Sequence, residues 1–297
     1  MNKVKTIFTV KDLENLSGIK AHTIRIWEKR YQVLAPQRTD NNIRLYKNED
    51  LQRLLNVSFL NNFGYKISKI ASLSIEECND LVKSIYNESS KKELAINDFK
   101  IAMMNFDAKL FHENYNQITQ NLSFKDVFYS ILIPLLDEIG LLWQTSTIKP
   151  SHEHFISYLI RQKLSSKIEE LQLETTINKD KVIVLFLPES EVHDLGLMFI
   201  NAELIKKGYK TVFLGEDIPI DDLIDFKNHF DEIIFLSYLT VSPTTELVDE
   251  YVASFEELVL KDTNSQLWLL GKQVEHLQSH SKNVFKYSGI EDLLNDT

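Results

Sequence analysis

The chain of 297 residues carries 33 lysines and arginines against 43 aspartates and glutamates, a formal net charge of −10. A chain of this length usually forms two or three domains. No apolar run approaches the roughly 20 residues that a membrane-spanning helix needs, and residues 1–5 lack the apolar core of a secretion signal. The single cysteine, Cys78, excludes an internal disulfide and a cysteine-based zinc site. We therefore expect a cytoplasmic protein with no membrane partner.

Charge is distributed unevenly along the chain. Residues 1–75 contain 13 lysines and arginines and 6 aspartates and glutamates, a balance of +7, whereas residues 76–297 contain 20 and 37, a balance of −17. A basic head on an acidic body is typical of a nucleic-acid-binding module joined to an unrelated one. Because an acidic body repels a polyanion, only the head should face nucleic acid.

The first elements of the head are two short helices. Thr9 and Asp12 have the spacing of a capping pair at a helix start, and this helix should end near Gly18. A second helix is expected from about residue 20 to residue 31. Two short helices joined by a tight, glycine-containing turn predict a helix-turn-helix.

The segment that follows predicts a wing. Residues 35–46 contain an Asp-Asn-Asn run, which is turn chemistry, between flanks that could pair as a small hairpin. An amphipathic helix is then expected over 48–62, stopped by Gly64, with another short helix near 67–73.

The second helix and the wing together are rich in arginine and aromatic residues. Arginines make charge-assisted contacts with phosphates, and a helix in the major groove reaches base edges. Trp27 and Tyr46 have an alternative role as core aromatics of the head, and a solvated face is the alternative for the arginines. The residues concerned are Thr23, Arg25, Trp27, Arg30, Tyr31, Arg38, Arg44 and Tyr46.

Residues 23–31, TIRIWEKRY, resemble the winged helix-turn-helix of MerR-type transcription regulators, together with Leu34, Pro36, residues 38–39 and residues 44–46. The resemblance covers about residues 6–75. Members of that family bind two-fold-related DNA half-sites as dimers, which implies a double-stranded DNA operator as partner. Many members have GGHR in the wing where this chain has Asn-Asn-Ile-Arg over 41–44. The DNA contacts that the resemblance implies are Thr23, Arg25, Tyr31, Arg38 and Arg44.

Residues 76–175 predict a helical bundle. They contain one glycine, Gly140, and two prolines, and their apolar residues recur at helical spacing. About four helices fit this length. Residues 174–180 are polar and are expected to form a linker.

After residue 181, short apolar strands alternate with helical segments, which predicts a parallel doubly wound sheet. The chain is thus expected to be an α+β multidomain protein with a head at 1–75, a four-helix bundle at 76–175 and a Rossmann-like α/β domain at 181–297. The expected strands are 182–187, 211–214, 232–236, 266–270 and 283–287, and the expected helices lie near 195–207, 220–229, 244–260, 273–280 and 290–295.

His193 lies on the loop between the first of these strands and its helix. Open α/β sheets bind ligands at the carboxyl ends of their strands. An imidazole there, with Glu191 two residues before it and Gly196 three after, suits axial ligation of a cofactor metal, the carboxylate holding the tautomer. Taken alone, a loop histidine is more often hydrogen-bonded to its own backbone.

The motif around His193 resembles that of cobalamin-binding domains of the methionine synthase and mutase type. Their pattern is Asp-x-His-x-x-Gly, then Ser-x-Leu, then Gly-Gly. The resemblance implies that His193 ligates cobalt and that small residues line a channel for the cofactor tail. Lys272 replaces the second glycine, where it could crowd the tail or pair with its phosphate. The matching residues are Glu191, His193, Gly196, Ser237, Leu239 and Gly271.

The bundle carries a third motif. Trp143 is followed after nine residues by Glu153 and His154, a spacing that resembles the helical cap of the CarH/LitR photoreceptor repressors, which also have MerR-type heads. The resemblance implies that these three residues shield the adenosyl group of adenosylcobalamin. By themselves, Trp143 would be expected in the bundle core and His154 as an ordinary polar residue. Gln144 stands where the family has a second cobalt-capturing histidine, and His152 is expected to be a solvated helix residue.

Three functions are compatible with these patterns. The favoured one is a DNA-binding, light-responsive repressor with adenosylcobalamin as chromophore and a homo-oligomeric state, dimer or tetramer; the resemblance implies carotenoid-synthesis genes as targets. The second, suggested by Gln144 and Lys272, is a MerR-type regulator with a degenerate or light-independent cobalamin-like domain. The third is a corrinoid carrier for methyl transfer or rearrangement, but the chain has no room for a barrel of roughly 250 residues. We expect a regulator and not an enzyme.

Overall fold

The computed structural model describes residues 7–85, 88–174, 181–278 and 281–297. The chain divides into two compact units, Met1–Leu159 and Ile160–Thr297. The predicted fold class is confirmed: a winged helix-turn-helix and a helical bundle lie in the first unit, and a doubly wound parallel sheet lies in the second. The boundaries of the three expected domains stay a prediction, and residues 175–180 of the expected linker lie outside the described residues.

The helix-turn-helix consists of α1 (Val10–Ser17) and α2 (Ala21–Tyr31). The Thr9 side chain accepts a hydrogen bond from the Asp12 backbone N–H at 3.2 Å, and the Asp12 carboxylate accepts one from the Thr9 N–H at 2.7 Å. This capping box starts α1 where the sequence predicted. Gly18, with φ of 74°, ends the helix in the left-handed conformation that glycine adopts most readily.

The wing is a small antiparallel sheet of β1 (Ile7–Phe8), β3 (Arg44–Lys47) and β2 (Gln37–Arg38), with β3 in the middle. The sheet is followed by α3 (Asn48–Asn62) and α4 (Ile67–Ala71). Trp27 and Tyr46 are buried in the core of the head, so the alternative that they are core aromatics is correct.

The remaining helices of the first unit form the bundle. Ser74, Asp107 and Ser123 each cap a helix start through a side-chain oxygen, which sets where three of these helices begin. A π-helical segment, Phe128–Leu132, precedes the helix that holds Pro134 in its first turn. The helices are α5 (Ile75–Ser84), α6 (Glu88–Asn105), α7 (Ala108–Thr119), α8 (Phe124–Val127), α9 (Ile133–Gln144) and α10 (Pro150–Glu174), which ends in the second unit.

The head and the bundle are joined by polar contacts at the end of α1. Asn15 Nδ2 donates a hydrogen bond to Thr147 Oγ1 at 2.7 Å, in the loop between α9 and α10. The buried Lys100 on α6 donates to the Leu16 carbonyl at 3.3 Å and pairs with Glu138 on α9 at 2.8 Å. A buried ammonium is tolerated only with such partners.

The second unit is a five-stranded parallel sheet with the strand order β5-β4-β6-β7-β8. Every residue of β4 is buried, as expected for a central parallel strand. The chain passes from β4 to β5 on one side of the sheet and then to β6, β7 and β8 on the other side of β4. The loop after β4 is therefore the expected ligand position. The elements are β4 (Val182–Pro188), α11 (Leu195–Lys206), β5 (Lys210–Ile218), α12 (Asp221–Ile224), β6 (Ile233–Tyr238), α13 (Val248–Phe255), β7 (Gln266–Leu270), β8 (Val284–Lys286) and α14 (Ile290–Asp296).

The helical connections of the sheet are shorter than predicted. The expected helix over 244–260 begins only at Val248, and its last turn, Glu256–Leu260, is π-helical. The expected helix near 273–280 is a short 3₁₀ turn, Lys272–His276, and residues 279–280 lie outside the described residues. Across the part of the chain that the structure describes, no helix is both long enough and apolar enough to cross a membrane.

Candidate functional site

His193 lies at the carboxyl end of β4, on the loop that leads into α11. Its side chain is 54% exposed, and its Nδ1 lies 2.5 Å from Oε1 of the fully buried Glu191. With Nδ1–H donating to a carboxylate, the lone pair of the ring belongs to Nε2. The imidazole is therefore held in the tautomer that ligates a metal through Nε2.

The carboxylate of Glu191 collects backbone N–H groups from two loops. Oε1 accepts hydrogen bonds from the N–H groups of Val192 and His193 at 3.0 and 3.1 Å. Oε2 accepts three more from residues that follow β6, at 2.6 to 3.0 Å: Thr240, Val241 and Ser242. Glu191 thus ties the His193 loop to the end of the neighbouring strand.

These contacts determine the charge of Glu191. Burial by itself raises the pKa of the carboxyl group, but the hydrogen bonds from His193 and from the N–H groups of Ser242 and Val241 outweigh it. The pKa of Glu191 falls to about 2, so the group is ionised at neutral pH. A permanent carboxylate makes the imidazole beside it a better electron donor.

The other expected channel residues lie around β6 and β7. Ser237 on β6 is buried, and its Oγ has no hydrogen-bond partner among the described residues. Gly271 has φ of +107°, and a Cβ there would lie 2.4 Å from the Leu239 carbonyl oxygen. A Cβ on Gly196 would lie 3.1 Å from the Tyr238 ring. Close packing against backbone therefore requires glycine at 271, whereas a side chain at 196 would require the Tyr238 ring to shift.

The second unit fits a cofactor whose metal takes one protein ligand. Its donor is a single oriented imidazole, and Ser237 Oγ is a buried polar atom that a polar group of a ligand would satisfy. Among residues 7–85, 88–174, 181–278 and 281–297, no group of three or more histidine, cysteine or acidic side chains is placed to hold a metal ion.

The bundle motif has an exposed tryptophan. Trp143, near the end of α9, is 56% exposed, so the alternative that it packs in the bundle core is wrong. On the first turn of α10, His154 Nδ1 lies 3.2 Å from Glu153 Oε2, and Ser157 donates to the other Glu153 oxygen at 2.9 Å. The Trp143 indole therefore presents an apolar face to solvent.

Three further residues near these motifs have defined positions. His152 is buried rather than solvated, because its Nδ1 accepts a hydrogen bond from the Lys149 N–H at 3.1 Å and its ring packs on Phe106. Gln144, the last residue of α9, is exposed. Lys272 is exposed directly after Gly271, at the carboxyl end of β7.

In the head, the structure brings two of the expected DNA-contacting arginines together. Arg38 and Arg44 lie directly opposite each other on β2 and β3. Glu28 on α2 accepts a hydrogen bond from Arg44 Nε at 3.0 Å and one from the Tyr46 hydroxyl at 3.0 Å, and lies 3.7 Å from Arg38. Like charges opposite each other in a sheet repel, so Glu28 stabilises the wing.

The remaining expected DNA contacts lie on α2. Arg25 is exposed, whereas Thr23 and Tyr31 are half-buried, with Tyr31 as the last residue of the helix. Sequence reasoning missed the role of Glu28. The spacing of Arg38 and Arg44 around the Asn turn was the available signal, because it predicts a cross-strand pair of cations that needs a counter-charge.

Two regions of the chain match known family models. Residues 8–74 match the MerR HTH family regulatory protein, and residues 95–166 match the B12 binding domain. The chain thus joins a region similar to MerR-type heads to a region similar to B12-binding domains. The second match includes Trp143, Glu153 and His154, so the bundle motif lies inside the region that matches the B12 binding domain.

Two curated relatives of this chain are transcriptional repressors. It is 27% identical to the HTH-type transcriptional repressor CarH of Myxococcus xanthus over 214 residues, which are 70% of each protein. It is 23% identical to the repressor CarA of the same organism, covering 71% of this chain and 68% of CarA. The matched regions and these relatives indicate a regulator rather than an enzyme.

A solved structure has the same fold as much of this chain. The monomethylamine corrinoid protein of Methanosarcina barkeri superposes with a TM-score of 0.56 on 69% of this chain and 97% of its own, at 13% sequence identity. This likeness shows the architecture, a helical bundle and a parallel sheet.

Proposed function

We propose that the protein is a cytoplasmic transcriptional repressor that senses light through bound adenosylcobalamin. The observation that carries the proposal is the oriented imidazole of His193, held by the fully buried Glu191 carboxylate at the switch point of the sheet. The exposed Trp143, with Glu153 and His154, is a second surface suited to the cofactor.

Each cofactor contact has a chemical role. His193 would ligate cobalt through Nε2 while Glu191 fixes its tautomer. Ser237 Oγ and the backbone around Leu239 and Gly271 would line the channel for the cofactor tail. Gly196, which has no side chain, would lie along the same channel. On the bundle, the Trp143 indole would cover the adenosyl group and exclude water, and Glu153 and His154 would hydrogen-bond its hydroxyl groups. When bound, adenosylcobalamin supplies a cobalt–carbon bond that light breaks.

The chain's own residues connect that event to DNA. Contacts from Trp143, Glu153 and His154 to the adenosyl group would require the intact cofactor, so they would stabilise the state that binds it. We assign that state to a homo-oligomer, dimer or tetramer, whose heads contact one operator together. Several heads on one DNA gain avidity that is lost when the assembly dissociates. Carotenoid-synthesis genes are the proposed targets, by analogy with the family.

On DNA, the proposed contacts divide by position. Arg25, with Thr23 and Tyr31, would contact the major groove from α2. Arg38 and Arg44, positioned by Glu28, would contact the backbone from the wing.

The decisive experiment compares operator binding in the dark and after green light. Fragments would first be selected from a random DNA pool with full-length protein loaded with adenosylcobalamin in the dark. We expect illumination to weaken binding to the selected DNA at least about 10-fold, with a smaller assembly in size-exclusion chromatography. Equal affinity in both conditions would exclude the light switch.

The same preparation tests the alternative of a degenerate or light-independent domain, which the exposed Gln144 and Lys272 favour. Protein desalted after loading should retain corrinoid absorbance, and His193→Ala should lose it. A wild-type chain that retains no corrinoid would favour the degenerate domain. Retained corrinoid with light-independent DNA binding would favour a light-independent regulator.

A further inference from the structure

Asp194, the residue after His193, occupies the start of α11. Its backbone N–H donates to the Val192 carbonyl at 3.1 Å, and its carbonyl accepts the first hydrogen bond of the helix, from Met198 at 2.8 Å. The backbone on both sides of Asp194 is therefore engaged. Any displacement of Asp194 moves His193 with it, because the two share a peptide bond.

The Asp194 carboxylate is buried and is paired with one cation. The side chain is only 4% exposed, and Arg161 on α10 pairs with its Oδ2. The other guanidinium nitrogen donates to Glu216 on β5 at 3.2 Å. Arg161 thus connects three elements: α10, the start of α11, and β5.

Burial of a carboxylate is costly unless a counter-charge accompanies it. Without Arg161, Asp194 would face Glu216 across the site with no cation between them, and would turn toward solvent to recover hydration. That movement would alter the His193 backbone, although Glu191, which contacts the His193 ring, would still be present.

We propose that Arg161 is a positioning residue for the cobalt ligand, acting through Asp194 to hold the His193 loop in its ligating conformation. This inference rests on the proposed role of His193. It gives α10 a second role, since the same helix carries Glu153 and His154 at its start.

The test uses full-length protein and adenosylcobalamin, with Arg161→Gln, Asp194→Asn and the double variant. Two readouts are measured: the dissociation constant, and the visible spectrum at saturating cofactor, which reports whether a nitrogen ligates cobalt from below. We expect Arg161→Gln to weaken binding by about 10- to 100-fold, as is usual when a residue that orients a metal ligand is removed. Its spectrum should shift toward that of His193→Ala.

The double variant distinguishes positioning from general stability. With Asp194→Asn, the site holds no buried charge at this residue, and the two amides can hydrogen-bond each other. We expect the affinity and the spectrum to return to within about 3-fold of wild type. Lys167→Gln is the matched control, because Lys167 lies on the same helix but pairs only locally with Glu170; it should have no effect.

Each outcome has one meaning. If Arg161→Gln binds cofactor with wild-type affinity and spectrum while His193→Ala loses both, the positioning role is wrong and the proposed function stands. If His193→Ala itself is unchanged, the proposed function fails. Should Arg161→Gln not fold, the double variant decides: a folded double variant with the His193→Ala spectrum overturns the inference, and one with the wild-type spectrum supports it.

Discussion

At the scale of single residues, carboxylates organise both proposed sites. Glu28 lies between two wing arginines, and Glu191 joins an imidazole to five backbone N–H groups. In each case the acid acts on a neighbouring side chain. Its charge determines where a neighbouring cation or imidazole lies, and this is why neither acid is interchangeable with its amide.

The substitution Glu191→Gln should destabilise the protein. The amide keeps the shape but offers one acceptor oxygen in place of two, and it leaves buried N–H groups without an acceptor. We expect the free energy of unfolding to fall by about 3 kcal/mol at pH 7, since hydrogen bonds to charged groups contribute about 1.5–3 kcal/mol each. Urea unfolding of both proteins measures the difference, and equal stability would contradict it.

The pH dependence of that difference follows from the depressed pKa. The folded pKa of Glu191 is about 2 against 4.5 for the unfolded chain. The ionised carboxylate therefore contributes its full stabilisation above the unfolded pKa and loses it as the pH falls toward 2. The gap between wild type and Glu191→Gln should be constant above about pH 5 and shrink below it. A gap that widened on acidification would be inconsistent with this account.

At the scale of elements, the loops after β4, β6 and β7 are interlocked. Glu191 binds the loop after β6, and Gly271 brings the loop after β7 against the Leu239 carbonyl. In the first unit, the end of α1 is joined in the same way to the loop after α9, through Asn15 and Thr147. Loops that contact each other in this way hold site residues more rigidly than isolated loops do.

Gly271→Ala tests the close approach of two of these loops. The new Cβ would lie 2.4 Å from a backbone oxygen, and φ of +107° is strained for alanine. We expect a loss of roughly 2–4 kcal/mol in unfolding free energy. Gly140→Ala is the control in which alanine should fit: apart from the backbone of α9 itself, no atom lies within 4 Å of the position that the new Cβ would take. There, alanine should stabilise the helix by about 0.5–1 kcal/mol. Thermal unfolding of both variants measures whether each substitution lowers or raises the stability. An unchanged stability of Gly271→Ala would show that the loops separate easily.

At the scale of the whole molecule, charge separates the DNA-binding part from the rest. The balance of +7 over residues 1–75 against −17 over 76–297 predicts that the acidic part makes no favourable direct contact with operator DNA. Regulation through oligomer size is compatible with this arrangement, because each head alone has a modest number of cationic contacts.

The exposed Arg25 provides the test at this scale. Arg25→Ala should weaken operator binding about 10-fold and reduce the slope of log affinity against log salt by about 1, as expected for one lost ionic contact. Lys227→Ala, an exposed change in the acidic part, should leave both values unaltered. Titrations of labelled operator at several salt concentrations give the two slopes; an equal effect of both substitutions would disprove the division of charge.

Much of the fold was predictable because its signals are local. The capping pair Thr9 and Asp12, the turn at Gly18 and the apolar run of β4 each act over a few residues, and each lies where the sequence placed it. The 3₁₀ turn after Gly271 was missed, because its shape depends on contact with the Leu239 carbonyl rather than on its own residues.

The sequence by itself determined the order of the modules, the type of each element and the position of His193 on a strand-to-helix loop. Only the tertiary structure decided that Glu191 also binds the loop after β6, that Trp143 lies on the surface, and that Arg161 pairs with Asp194. The reason is physical: periodicity and capping are properties of neighbours in the chain, whereas burial and charge pairing depend on which distant segments come into contact.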